Sequence, residues 1–177
     1  MTELALREFG EWPEQRVGLF VDTQNLYYPA RDGYRKHLDY HRLLQVAVRG
    51  RRLAHATAFV VEREGESTSY GFITKLSAIG YRVRRRTLKL HRLDDQGHLV
   101  LEGDWDMGIV AEIVRSWDHL DVVVLASGDG DFVPIVELSQ ERGGRVEVMA
   151  FRETASQALV DAADLFVHLP EVKDIFL

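Results

Sequence analysis

Apolar residues in this chain follow two alternating rhythms. Short, largely apolar runs have the length and β-branched content of buried strands: Val17-Gly-Leu-Phe-Val21, Ala56-Thr-Ala-Phe-Val-Val-Glu62, Leu120 to Ala126 and Arg145 to Phe151. Between them, apolar residues recur every three or four positions, as on one face of a helix. Leu43, Leu44, Ala47 and Val48 do so within 38–48, and Phe72, Leu76 and Ile79 within 67–79, with Gly80 just past the end. A helix over 104–117 takes Asp104 as its N-cap and Met107, Val110, Ala111 and Val114 as its core stripe. A helix over 132–142 stops at Gly143-Gly144, and a short helix (155–162) and a short strand (165–169) follow. Tyr81 to Thr87 alternates with arginines, as an edge strand would, and Asp95-Gln-Gly97 marks the turn of a small hairpin. Strands alternating with helices predict parallel βαβ units, hence an α/β fold built as a three-layer sandwich around a mostly parallel sheet. Residues 16–169 read as one domain, 1–15 as an N-terminal arm and 170–177 as a C-terminal tail.

Carboxylates stand where the apolar runs end. Asp22 follows Val21 in Val-Asp-Thr-Gln-Asn25; Asp129 and Asp131 follow the strand after Leu120 in Ser127-Gly-Asp-Gly-Asp-Phe132; Asp106 opens the helix of Asp104-Trp-Asp-Met107. In open parallel sheets ligands collect outside the carboxyl ends of the strands. Like charges converging there repel unless a cation offsets them, and a hard divalent ion suits oxygen donors. Each residue also has a purely structural reading. Asp22 can cap a helix or close an Asx turn, Asp131 can cap the helix starting at Phe132, and the two glycines let the backbone turn. Asp129 is then the residue that capping leaves over. Glu112, well around the helix from Asp106, has Arg115 three residues on and reads as a solvated ion pair, with an outer position near the metal as the alternative. Asn25 and Ser127 offer neutral contacts to a metal-bound water or an anion.

Composition narrows the chemistry. A chain of 177 residues that is 46% hydrophobic and 28% charged has the makings of one core and no disordered tract. Zero cysteines exclude disulfides, thiolate catalysis and cysteine-bound zinc, and suggest the cytoplasm. No apolar stretch is long enough for a membrane span. The net charge of −6 is unlike that of a basic nucleic-acid binder, but arginines cluster at 49, 51 and 52 and again from Arg82 to Arg92. Strand alternation sets Arg82, Arg84 and Arg86 on one face, where with Lys89 they form a phosphate track or guard an edge.

The order of these motifs resembles the NYN domain family of PIN-like nucleases, and its LabA-like bacterial branch in particular. The resemblance runs through Val21-Asp-Thr-Gln-Asn25, the Gly103-Asp-Trp-Asp106 helix start, Ser127-Gly-Asp-Gly-Asp-Phe132 and Ala155-Ser156 through Phe166. It implies a Rossmann-like sheet of order 3-2-1-4-5 and an acidic site for Mg²⁺ or Mn²⁺ in RNA cleavage. Its implied site is Asp22, Asn25, Asp106, Asp129 and Asp131. Glu112 stands where many relatives carry a second helix Asp, and Glu102 where many carry Lys.

The leading expectation is therefore a ribonuclease in which Asp22, Asp106 and Asp129 ligate metal, Asp131 or Asn25 orients the water, and Arg84, Arg86 and Lys89 steer single-stranded RNA. Attack by water would leave a 5′-phosphate and a 3′-hydroxyl. A phosphatase with an aspartate nucleophile at position 22 would want a second Asp at position 24, which is Gln. A non-catalytic NYN module binding RNA or a protein is the alternative, with Glu102 in its favour. The apolar end Ile175-Phe-Leu177 offers a contact surface, compatible with a homo-oligomer.

Overall fold

The computed structural model describes residues 12–63, 69–93, 99–102 and 105–177. Seven strands form a single sheet of order β4-β3-β2-β1-β5-β6-β7. They are β1 (Arg16–Asp22), β2 (Arg52–Arg63), β3 (Arg82–Leu93), β4 (Leu99–Glu102), β5 (Val122–Ala126), β6 (Arg145–Ala150) and β7 (Leu165–His168). Every pairing is parallel except β3 with β4, the predicted hairpin. Leaving aside that hairpin strand and β7, the order is the expected 3-2-1-4-5.

The reason both sheet faces are apolar is visible in the alternation. Val17, Leu19 and Val21 of β1 and Val122, Val124 and Ala126 of β5 join one core with Leu26, Leu43 and Leu76. Phe20, Val123 and Leu125 join the other with Ile109, Ile113, Phe132 and Leu159. Helices α1 (Thr23–Tyr28), α2 (Tyr40–Val48) and α3 (Ser69–Ile79) cover the first face; α4 (Asp106–Ser116), α5 (Val133–Glu141) and α6 (Gln157–Ala162) cover the second. The tail joins the first core through two of its three apolar residues, leaving Leu177 63% exposed: Ile175 is buried, Phe176 stacks on Tyr34, and residues 38 and 176 form an antiparallel bridge. Among the described residues, no helix is long and apolar enough to cross a membrane.

Several local expectations are corrected. The helix that Asp22 can cap is α1, whose bounds the sequence does not give because six residues are too few for a periodic signal. Helix α4 begins at Asp106, and the predicted cap Asp104 lies outside the described residues. Its buried side is Ile109, Glu112, Ile113 and Ser116, while Met107 is 76% and Val114 42% exposed. Of the predicted stripe, Val110 packs partly buried against the second core, while Met107 and Val114 are misplaced because the stripe treated Glu112 as solvated. The edge expectation fits the near half of β3, where Arg82 to Leu88 pair with β2 alone among the described residues; the far half pairs with β4, with Lys89 opposite Glu102 in the ladder.

Buried glutamates account for Arg49 and Arg51 of the first arginine cluster and for Arg82 and Arg84 of the second. On β6, Glu147 is 2% exposed and meets Arg51 at 2.9 and 3.0 Å, Arg145 at 2.9 Å, and Arg49. On α4, Glu112 is 6% exposed and accepts from Arg82 and Arg84 at 3.1–3.3 Å, with Arg115 farther off at 3.9 Å. A buried carboxylate needs such partners, since an unpaired one would cost several kcal/mol (order of magnitude).

Candidate metal centre

Strand order reverses between β1 and β5, and the two segments richest in acid follow those two strands. Asp22 ends β1 and caps α1, its Oδ1 accepting the Asn25 N–H at 3.1 Å. Asn25 in turn accepts the Gly128 N–H at 2.8 Å, which ties α1 to the loop after β5. Ser127, fully buried, donates its hydroxyl to Asp22 at 3.4 Å and accepts the Asp129 N–H at 3.3 Å. In this structure Asn25 and Ser127, read from the sequence as substrate contacts, hold the two acidic segments in register.

The loop after β5 differs from expectation in two ways. Asp129, not Asp131, is the cap: its Oδ1 accepts the Asp131 N–H at 3.0 Å ahead of the 3₁₀ turn Gly130–Phe132, and Phe132 leads into α5 with no side-chain cap. Asp131 is left exposed. The glycines serve close approach, not turning, for neither has a positive φ. A Cβ on Gly128 would meet the Ala155 Cα at 2.9 Å, and one on Gly130 the Ser156 Oγ at 2.7 Å. The Ser156 N–H also bonds the Gly128 carbonyl at 2.8 Å. The small pair Ala155-Ser156 thus lies directly on the loop. Gly128→Ala should destabilise the fold by about 1–3 kcal/mol in urea denaturation, because backbone must move. Gly130→Ala should cost less, since a serine side chain can rotate away.

Asp106 reaches the loop from α4, on the same face of the sheet as α5, whereas α1 lies on the other face. Trp105 anchors the start of α4: its indole N–H donates to the Val60 carbonyl at 3.0 Å, and its ring meets Phe59 edge-on and carries the Arg86 guanidinium at 5.2 Å. One carboxylate oxygen each from Asp106, Asp129 and Asp131 then lies within 4.8 Å of the others. This trio includes Asp131 where the sequence reading had Asp22. Asp22 stands behind it, joined to the Asp129 backbone through Ser127. Burial, and to a lesser degree the Asp129 charge, push the Asp22 carboxyl above its ordinary pKa, against the hydrogen bonds from Asn25 and Ser127. The Tyr40 phenol, buried and within reach of the Asp22 charge, is also pushed up.

The expected outer residues have other partners. Glu112 lies six residues past Asp106, about 240° around the helix, and faces the arginines of β3. It is buried, so the solvated pair with Arg115 is corrected. Arg82 and Arg84 keep 57% and 45% of their side chains exposed while holding Glu112. Three arginines to one glutamate leave that face positive. The Lys89 and Glu102 side chains lie outside what the structure describes.

Comparison with known proteins agrees with the geometry. A solved structure of a protein of unknown function from Vibrio parahaemolyticus superposes with a TM-score of 0.81 at 31% identity, covering 95% of this chain and 99% of that one. The low amplitude and bright protein LabA of Synechococcus elongatus is 24% identical over 161 residues, 89% of this chain and 86% of that protein. A family model for the NYN domain matches residues 16–170, and the chain belongs to that family.

Proposed function

We propose that this protein is a metal-dependent ribonuclease of the LabA-like branch, acting in the cytoplasm on single-stranded RNA. The observation that carries the reading is the convergence of Asp106, Asp129 and Asp131 at the reversal of strand order, with Asp22 behind them. An all-carboxylate set drawn from α4 and the β5 loop fits a hard divalent ion such as Mg²⁺ or Mn²⁺ and offers nothing to a soft one. Bound there, such an ion would make water more acidic and offset charge on the phosphodiester. The chain's own work is positional. Ser127 and Asn25 keep Asp22 and Asp129 close despite their repulsion, Trp105 sets the first turn of α4, and Asp131 is the exposed carboxylate facing an incoming strand. The positive face of Arg82, Arg84 and Arg86 would draw the RNA backbone without reading its sequence.

Metal binding should stabilise the fold by mass action, raising the melting temperature with added Mn²⁺. The rise should be largely absent in Asp129→Asn. A melting temperature indifferent to millimolar Mn²⁺, or an equal rise in the variant, would exclude this metal centre. A non-catalytic NYN module that binds RNA would show RNA binding without chelator-sensitive cleavage.

A further inference from the structure

We infer that the groove sharing α1 with the acidic site receives an unpaired nucleotide of single-stranded RNA beside the bond to be cut, an inference that rests on the ribonuclease reading. The groove has a volume of about 820 Å³ and lies between α1, the π-helical turn Pro29–Gly33, and α3. That is within the range of sites built for small organic groups, roughly 300–1,000 Å³. Thr23 and Gln24, which line it, directly follow Asp22, so its occupant would adjoin that carboxylate at the rim of the acidic site.

Its lining has the chemistry of a nucleotide site. Tyr27, Tyr28 and Phe72 contribute rings, with the Arg31 guanidinium over one face of Tyr27 and of Tyr28 at 5.2 and 5.1 Å, and Tyr27 still keeps 42% exposure. Arg31, Lys36 and Lys75 supply positive charge, and no Asp or Glu side chain is among the described residues lining it. Asp32, outside the lining, pairs with Arg31 at 2.6 Å, and the Lys36 ammonium lies over the Phe176 ring at 5.2 Å, which makes Lys75 the principal phosphate contact. In a chain of net charge −6, a cationic and aromatic groove next to an acidic centre matches the alternation of phosphate, base and cleavage point along a strand. Aromatic faces can stack only on bases freed from a duplex, so the groove selects single strands.

Fluorescence anisotropy with labelled oligouridylate and a duplex of equal length, Ca²⁺ replacing Mn²⁺ to suppress turnover, tests this. The wild type should prefer the single strand. Tyr27→Ala should weaken that binding about tenfold. Lys75→Ala should weaken it and lower the slope of log K against log salt by about 0.7. Both variants should keep the wild-type melting temperature and its Mn²⁺ response. If the wild type cuts RNA but both variants bind like it, or if duplex binds equally well, the groove inference fails and the ribonuclease reading stands. If the wild type neither binds nor cuts RNA, both fail; peptide capture by the groove would then mark it as a protein-docking site.

Discussion

Asp129→Asn is expected to abolish most metal-dependent cleavage of single-stranded RNA, by about a hundredfold or more, with the fold intact. The variant keeps an oxygen at Oδ1, so the cap on the Asp131 N–H, 3.0 Å in the native chain, survives. What it loses is one negative charge of three gathered within 4.8 Å, and with it the affinity for a divalent ion. Asp22→Asn should also cripple cleavage, with a second signature. The folded pKa of Asp22 is raised by burial and by Asp129, so its contribution to stability is complete below the ordinary aspartate pKa and is lost as pH rises through the raised value. At neutral pH the ionised carboxylate therefore costs stability in the metal-free protein. Asp22→Asn removes that cost, and its metal-free melting temperature at pH 7 should exceed the wild type's, the gain vanishing toward acid. Chelated and Mn²⁺-loaded melts, run beside a gel assay of RNA cleavage, check both claims. Cleavage that persists in both variants would signal a contaminating nuclease.

Glu147→Gln should be the most destabilising single exchange outside the apolar core, at about 3–5 kcal/mol. It leaves Arg49, Arg51 and Arg145 converging on a neutral amide at a position only 2% exposed. Arg49 also sits in the left-handed region at φ 46°, a conformation that glycine favours, so the ion pair holds a strained turn between α2 and β2. In a chain of this length each kcal/mol moves the melting temperature by roughly 2–4 °C, predicting a loss on the order of 10 °C. Acid provides an independent check. Burial would raise the Glu147 pKa, but Arg51, Arg49 and Arg145 outweigh it and hold the group below the usual glutamate value. Its stabilisation is therefore full above that usual value and is lost as pH falls through the lowered one. Urea denaturation should show the gap between wild type and Glu147→Gln narrowing as pH drops below about 4. A variant as stable as wild type at pH 7 would refute the role given to this cluster.

Sequence by itself determined the layers and most of the acidic site. Largely apolar runs set β1, β2, β5 and β6, because a parallel sheet buries both faces and leaves little polar alternation to misread, Glu147 in β6 being the buried exception. Asp22 and Asp129 were legible for a related reason: a carboxylate within three residues of the end of such a run stands at the sheet's carboxyl edge. Phase and distance could not be read this way. Whether Glu112 faces solvent or β3 depends on which side of α4 meets the sheet, and the buried Glu112 itself blurred the apolar stripe that would have told. Asp131 rather than Asp22 joins Asp106 and Asp129 within 4.8 Å because the cap at Asp129 turns the loop, a three-residue event without periodic signature. The groove is less legible still: Tyr27 and Lys75 belong to helices packed on neighbouring strands, and only the sheet's strand order makes them neighbours. Local pattern follows from each segment's own need to bury apolar surface, whereas the partners of a charge are chosen by the whole chain.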